Sequence, residues 1–227
     1  MKRLKKSVLS SFFRIIESNV SVNIKKRTIT LRNQITPMTA VTLLMWLEFF
    51  ESLSSFDAIV LVIDSCRGGD WIAAKNIYAL LKRVRPPVIG IAKSFVHSAA
   101  LAIFAGTDER LVHVGTHFQF HTAESTYKFG VDARGNIVRM RAIKERETAS
   151  LHAQLSKEVN VANEEFYEIL TEGFAFPHSY IARMLCEKEY EFHVKDVTAR
   201  EIMHLGIVHA IISQRKTRKH KTSRKKR

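Results

Sequence analysis

Residues 57 to 93, DAIVLVIDSCRGGDWIAAKNIYALLKRVRPPVIGIAK, set an amphipathic run between two apolar ones. DAIVLVID is short, continuous and ended by Asp64, the pattern of a strand covered on both faces. WIAAKNIYALLKRV carries apolar residues at three and four spacing and stops at Pro86 and Pro87, so it reads as a helix. PVIGIAK reads as a second buried strand, and Gly68 and Gly69 make a tight turn between the first strand and the helix. A strand, a crossover helix and another strand imply parallel pairing in an α/β sheet.

The same alternation extends both ways. Upstream, RTITLRN alternates Thr28, Thr30 and Arg32 with Ile29 and Leu31, a strand with one buried face. ITPMTAVTLLMWLEFFES follows, with Thr36 and Pro37 as cap and first residue of a helix. Downstream, a helix of small residues is expected from Ser98 to about Gly106, then the strands RLVHV and HFQFH. Residues 136 to about 173 are rich in Glu, Lys, Ala and Leu and read as a long charged helix or helical hairpin. TAREIMHLG is a last helix, capped by Thr198 and stopped by Gly206, and IVHAII a closing strand.

Composition bounds the class. The chain has 227 residues, 46% of them hydrophobic, enough for one sizeable core. No apolar run reaches the roughly 18 to 20 residues of a membrane span. Two cysteines, Cys66 and Cys186, make neither a disulfide framework nor a zinc cluster, so a cytoplasmic location is expected. The net charge is +14, but the last fourteen residues, QRKTRKHKTSRKKR, hold nine of the 36 basic side chains and no acid. The remaining 27 stand against 22 acidic residues, a net charge of +5. Three segments result: a basic amphipathic start (1–26), one domain (27–213) and a disordered basic tail (214–227) that contacts anionic surfaces or nucleic acid.

The chemistry concentrates where strands hand over to helices, because ligand sites in such sheets lie at the carboxyl ends of the strands. Gly68–Gly69 and Ser98 each follow a parallel strand and can face one crevice. A serine at a helix start is ordinarily an N-cap. His121, at the end of HFQFH, lies where its ring can reach Ser98 as a general base, and His117 shares its strand face. His97, adjacent to Ser98, points away from it and reads as a pocket wall or surface group. His113, His117 and His121 would share a face as zinc ligands only on a helix, and their segment is strand-like. The glycines fit neither a dinucleotide fingerprint nor a phosphate loop.

Taken together, IVLVIDSCRGGDWIAAKNIYALL, KSFVHSAALAIFAGTDERLVHVGTHFQFH and VTAREIMHLGIVHAII resemble the proteolytic subunit of the ATP-dependent Clp protease (ClpP), within the crotonase-like superfamily. The likeness spans residues 27 to about 213. It implies a single domain of repeated βαβ units with a projecting handle helix. It makes Ser98 the nucleophile, His121 its base, and the N–H groups of Gly68, Gly69 and Ala99 the oxyanion hole of a serine endopeptidase acting on peptides or unfolded polypeptides. It implies a homo-oligomeric ring of heptamer type, single or double, an ATP-dependent unfoldase partner, and no cofactor or metal.

Two departures stand out. The family's turn is usually Ser-Pro-Gly-Gly-Ser, whereas this chain has Ser65, Cys66, Arg67, Gly68, Gly69 and Asp70, one residue longer and with two extra charges. The family also places an aspartate before its Thr-Ala-x-Glu segment. IARMLCEKEYEFHVKDVTA has none in register, leaving Glu187 and Glu189 as substitutes, with Asp196 too near the final helix. A catalytically silent ring subunit is therefore the alternative, and an acyl-CoA enzyme on the same fold a further one.

Overall fold

Alternation along RTITLRN decides which way its strand faces. In β2 (Thr28–Ile35) the side chains of Ile29 and Leu31 are fully buried while Thr28 and Thr30 are half-exposed. The computed structural model describes residues 19–121, 130–131, 137–138, 145–175, 177 and 194–213. At the sheet edge, β1 (Val20–Asn23) pairs antiparallel with β2, inside the stretch that the sequence sets apart as a basic amphipathic start.

Helix α1 (Pro37–Leu53) begins as its sequence dictates. Thr36 Oγ1 accepts from Thr39 N, and Thr39 Oγ1 accepts from Thr36 N, a reciprocal cap with Pro37 at the first helical position. It buries Leu43, Leu47 and Phe50 completely, each contributing roughly 1.5–3 kcal/mol relative to exposure. Strand β3 (Ile59–Gly69), helix α2 (Trp71–Arg83), strand β4 (Val88–His97), helix α3 (Ala100–Ala105) and strand β5 (Glu109–His113) follow. Strands β2 to β5 are parallel neighbours, and β10 (Ala210–Ile212) pairs parallel with β5. This is the α/β order that residues 57 to 93 imply.

The expectation of strands covered on both faces is corrected. Leu61 and Ile63 of β3 are buried, but Val60 and Val62 are half-exposed, as are Ile89 and Ile91 beside the buried Gly90 and Ala92 of β4. The helices that cover the first face pack side by side, α1 on α2, α2 on α3 and α3 on α4 (Glu145–Phe174). Every residue of α3 is buried. Its small side chains let α4 approach closely: a Cβ at Gly173 would stand 2.5 Å from Ala105 Cβ.

The long charged helix expected from residue 136 starts later. Ile137–Val138 forms β8, paired antiparallel with β7 (Gly130–Val131), and α4 begins at Glu145. Two-residue strands carry no periodic signal, so composition alone absorbed them into the helix. At the other end, β9 (Val194–Thr198) leads into α5 (Ala199–His204). There Thr198 and Glu201 cap reciprocally and Gly206 takes a positive φ of 74°. Among the described residues, no helix is long and apolar enough to cross a membrane.

Candidate active site

The site lies where the sheet divides. Strand β4 pairs with β5 through Ile89–Ala92, then exchanges that neighbour for β6 (His117–His121) through Phe95–His97. Two irregularities mark this level, Ser65 at φ 58° in β3 and Ser94 at φ 61° in β4. Asp64, only 8% exposed, ties them together. Ser94 Oγ and Ser65 Oγ donate to its Oδ1 at 3.0 and 3.3 Å, and Lys93 Nζ donates to Oδ2 at 3.3 Å. Arg32 Nε of β2 lies 3.6 Å from Oδ2. Burial opposes ionisation of this carboxyl, but the hydrogen bonds from Ser94, Lys93 and Ser65 and the charge of Lys93 outweigh it and hold its pKa below the ordinary value. Asp64 thus fixes the bend through which the ends of β3 and β4 converge.

Beyond the bend stands Gly68, at φ 83°. A Cβ there would lie 2.7 Å from Ser98 Cβ, 2.8 Å from His97 O and 3.0 Å from Ala99 N, so only glycine admits this approach. Gly69, at φ 140°, presses in the same way against Ile35 and Gln34 at the end of β2, where Asp70 N donates to Ile35 O at 3.0 Å. The tight turn expected at these glycines is therefore the last part of β3 itself, where Gly69 pairs with Ile35 of β2.

Ser98 holds a φ of 54°, a left-handed conformation unusual for serine. It is not the N-cap that a serine in this place predicts. Ala99 occupies the cap position, no side chain caps α3, and Ser98 N donates to Gln119 O of β6 at 2.9 Å. Among the described residues, neither the Ser98 hydroxyl nor the Ala99 N–H has a hydrogen-bond partner. The positive φ explains the difference, because a capping side chain requires an extended backbone.

Ser98 and His121 line one cleft of about 610 Å³, together with Gly69, Ala99, Arg67 and Asp70. The volume suits a bound ligand. Gln34 to Pro37 form one wall and Trp71, Ala162 and Phe166 another. The second wall joins α4 to α2. Trp71 packs edge-on against Phe166 with ring centres 5.5 Å apart, and Glu165 accepts from Trp71 Nε1 at 3.0 Å and Lys75 Nζ at 2.8 Å. Neither wall follows from sequence alone. The Ile35–Gly69 register that brings the first wall close is a tertiary fact.

The neighbouring groups separate cleanly. His97 does not line the cleft but stacks on Phe95, ring centres 4.8 Å apart. His117 is on the same face of β6 as His121 but is not part of the cleft lining. His113 lies on β5, so the three histidines do not share a helix. Cys66 is fully buried, and burial pushes its thiol up to about 11 against a smaller opposing hydrogen bond from the Gly68 backbone. It is a core group, protonated near neutral pH. Glu187, Glu189 and the basic tail lie outside the described residues. In the antiparallel pair of β6 and β9, Val194 stands opposite His121 and Asp196 opposite Gln119.

An uncommitted hydroxyl, an imidazole and close-packed backbone N–H groups on one cleft are the components of acyl transfer. Comparisons with known proteins bear on the family and the fold. The model of the Clp protease family matches residues 15–215. ClpP1 from Listeria monocytogenes is similar in structure, with a TM-score of 0.62 at 22% identity, over 85% of this chain and 94% of that one. An asparagine-to-aspartate mutant of the same protein gives 0.63 at 21% identity over the same shares. A search of curated proteins found no match.

Proposed function

From the premise that the chain belongs to the Clp protease family, we propose that it is a serine endopeptidase that cleaves peptides or unfolded polypeptides through an acyl-enzyme on Ser98. Ser98 Oγ attacks the peptide carbonyl while His121 takes its proton. His121 then returns that proton to the leaving amine, and water attacks the ester with His121 again as base. The N–H groups of Gly68, Gly69 and Ala99 hold the oxyanion, and each such donor lowers the barrier by about 3 kcal/mol. The carboxylate that orients His121 is Glu187 or Glu189. The observation that carries this reading is the shared cleft of Ser98, His121, Gly69 and Ala99, with Gly68 pressed against the serine.

The working form is a cytoplasmic homo-oligomeric ring of heptamer type, in single or paired rings, fed by an ATP-dependent unfoldase. Along α1, Met38, Val41, Met45, Phe49 and Leu53 form an exposed apolar stripe, and the half-exposed Val60, Val62 and Ile91 leave part of the sheet uncovered. Surfaces of this kind favour self-association.

A second reading, a catalytically silent ring subunit, has one observation in its favour: the register partner of His121 in β9 is Val194, not an acid. Hydrolysis of a fluorogenic peptide separates the two. The peptidase reading expects Ser98→Ala and His121→Ala each to lose at least about 10³-fold in rate. A wild-type rate no higher than that of either variant contradicts it.

A further inference from the structure

The residue that the turn carries beyond the family's pattern lies on the wall of the cleft. Arg67 is exposed, whereas its neighbours Cys66 and Gly68 are buried, so strand alternation turns its side chain away from the core. It lines the same cleft as Ser98 and His121. Its chain neighbour Gly68 is the glycine pressed against Ser98, where a Cβ would lie 2.7 Å from Ser98 Cβ. Among the described residues the Arg67 guanidinium makes no hydrogen bond, ion pair or ring contact.

No group of the lining pairs with this cation among the described residues. Asp70, the one carboxylate of the lining, keeps its charge but is held at the start of α2, where Oδ1 accepts from Ala73 N at 2.7 Å, and it makes no ion pair with Arg67. Gln34, Ile35, Thr36, Pro37, Trp71 and Phe166 are neutral. A guanidinium presents five donors in a planar fork that fits a carboxylate in a bidentate manner. A peptide laid across Ser98 therefore meets a cation with open donors beside its reacting bond.

We propose that Arg67 determines specificity by selecting peptides that place a carboxylate next to the bond at Ser98. This rests on the reading of the cleft as a peptide site. The carboxylate comes either from an Asp or Glu side chain or from a free chain end, and the two sources are distinguishable. Because Arg67 is solvent-exposed, its pairing with substrate is screened and the preference is modest, about 3- to 5-fold in affinity at low salt.

The test uses the full chain carrying Ser98→Ala, which holds peptides without cutting them. Fluorescent peptides, acetylated and amidated, differ only in a central Glu, Gln or Lys, and a fourth has the Gln sequence with a free C-terminal carboxylate. Anisotropy titrations are expected to rank Glu above Gln by about 3- to 5-fold. Arg67→Ala is expected to bring the two within about 2-fold, and Arg67→Glu to favour Lys. A gain confined to the free-acid peptide supports the same cation acting on a chain end. Equal binding of all four, no binding of any, or a Glu preference that survives Arg67→Ala overturns the inference. Melting temperatures of the Arg67 variants verify folding, and Arg67→Gln repeats the neutral case without truncating the side chain. Labelling of the wild-type serine by a fluorophosphonate reports separately on the peptidase reading. Labelling without carboxylate preference removes only the role of Arg67, and preference without labelling removes only the peptidase.

Discussion

The β3–α2 and β4–α3 junctions leave neighbouring parallel strands at the same edge of the sheet, yet they are built in opposite ways. The first has Asp70, whose carboxylate caps α2 through Ala73 N, after two glycines that take the unusual backbone angles. The second puts a serine at φ 54° and leaves α3 without a side-chain cap. One junction is arranged for helix stability and close approach. The other keeps a strained residue and an unused hydroxyl, which is the arrangement expected where function sets the sequence.

The comparison breaks most severely at Ser98. Ser98→Gly removes the hydroxyl and relieves the positive φ, so peptide hydrolysis is expected to fall by at least about 10³-fold while stability rises by about 0.5–1 kcal/mol. Paired rate and chemical-denaturation measurements check both signs, and a loss of stability contradicts the strain argument. Gly68→Ala is next. Its methyl group meets Ser98 Cβ and His97 O, so about 1–3 kcal/mol of stability and about 10²-fold in rate should be lost together.

Asp70→Ala sharpens the contrast from the other side. Loss of the α2 cap is expected to cost about 1 kcal/mol, seen as a lower melting temperature, with hydrolysis changed by less than about 3-fold. The smallest effect concerns pH at the bend that carries both junctions. Burial, and then the charge of Lys93, lower the His113 pKa, partly offset by Asp64, and its Nδ1 is buried without a partner among the described residues. The unfolded histidine therefore takes up its proton first as pH falls through the ordinary value of 6.5, and stability declines below that point. Denaturation midpoints measured from pH 7 to pH 5 should fall less steeply in His113→Leu than in the parent.

Much of this frame was legible in the sequence because it depends on local pattern. Thr36 and Pro37 start α1, Pro86 and Pro87 follow α2, and Thr198 starts α5 where capping chemistry places them. That Ser98 and His121 come to one cleft was also legible, since β6 runs parallel beside the end of β4. The backbone state of Ser98 was not, because nothing in SFVHSAAL distinguishes a capping serine from one at positive φ. Nor was Asp64, whose partners Arg32, Lys93 and Ser94 come from two other strands. The apolar runs of β3 and β4 suggested two covered faces, but Val60, Val62, Ile89 and Ile91 are half-exposed in the single chain. An apolar strand sequence records that a face is buried somewhere, whether by the chain's own helices or by another molecule.

The peptidase function depends on Ser98 being a nucleophile activated by His121. Its most direct test is to treat the full-length protein with a fluorophosphonate and locate the adduct by peptide mass spectrometry. A single adduct on Ser98 is expected, formed at least about 10²-fold more slowly in His121→Ala. Absence of the adduct under conditions that label a control serine hydrolase, or a rate unaffected by His121→Ala, would contradict it.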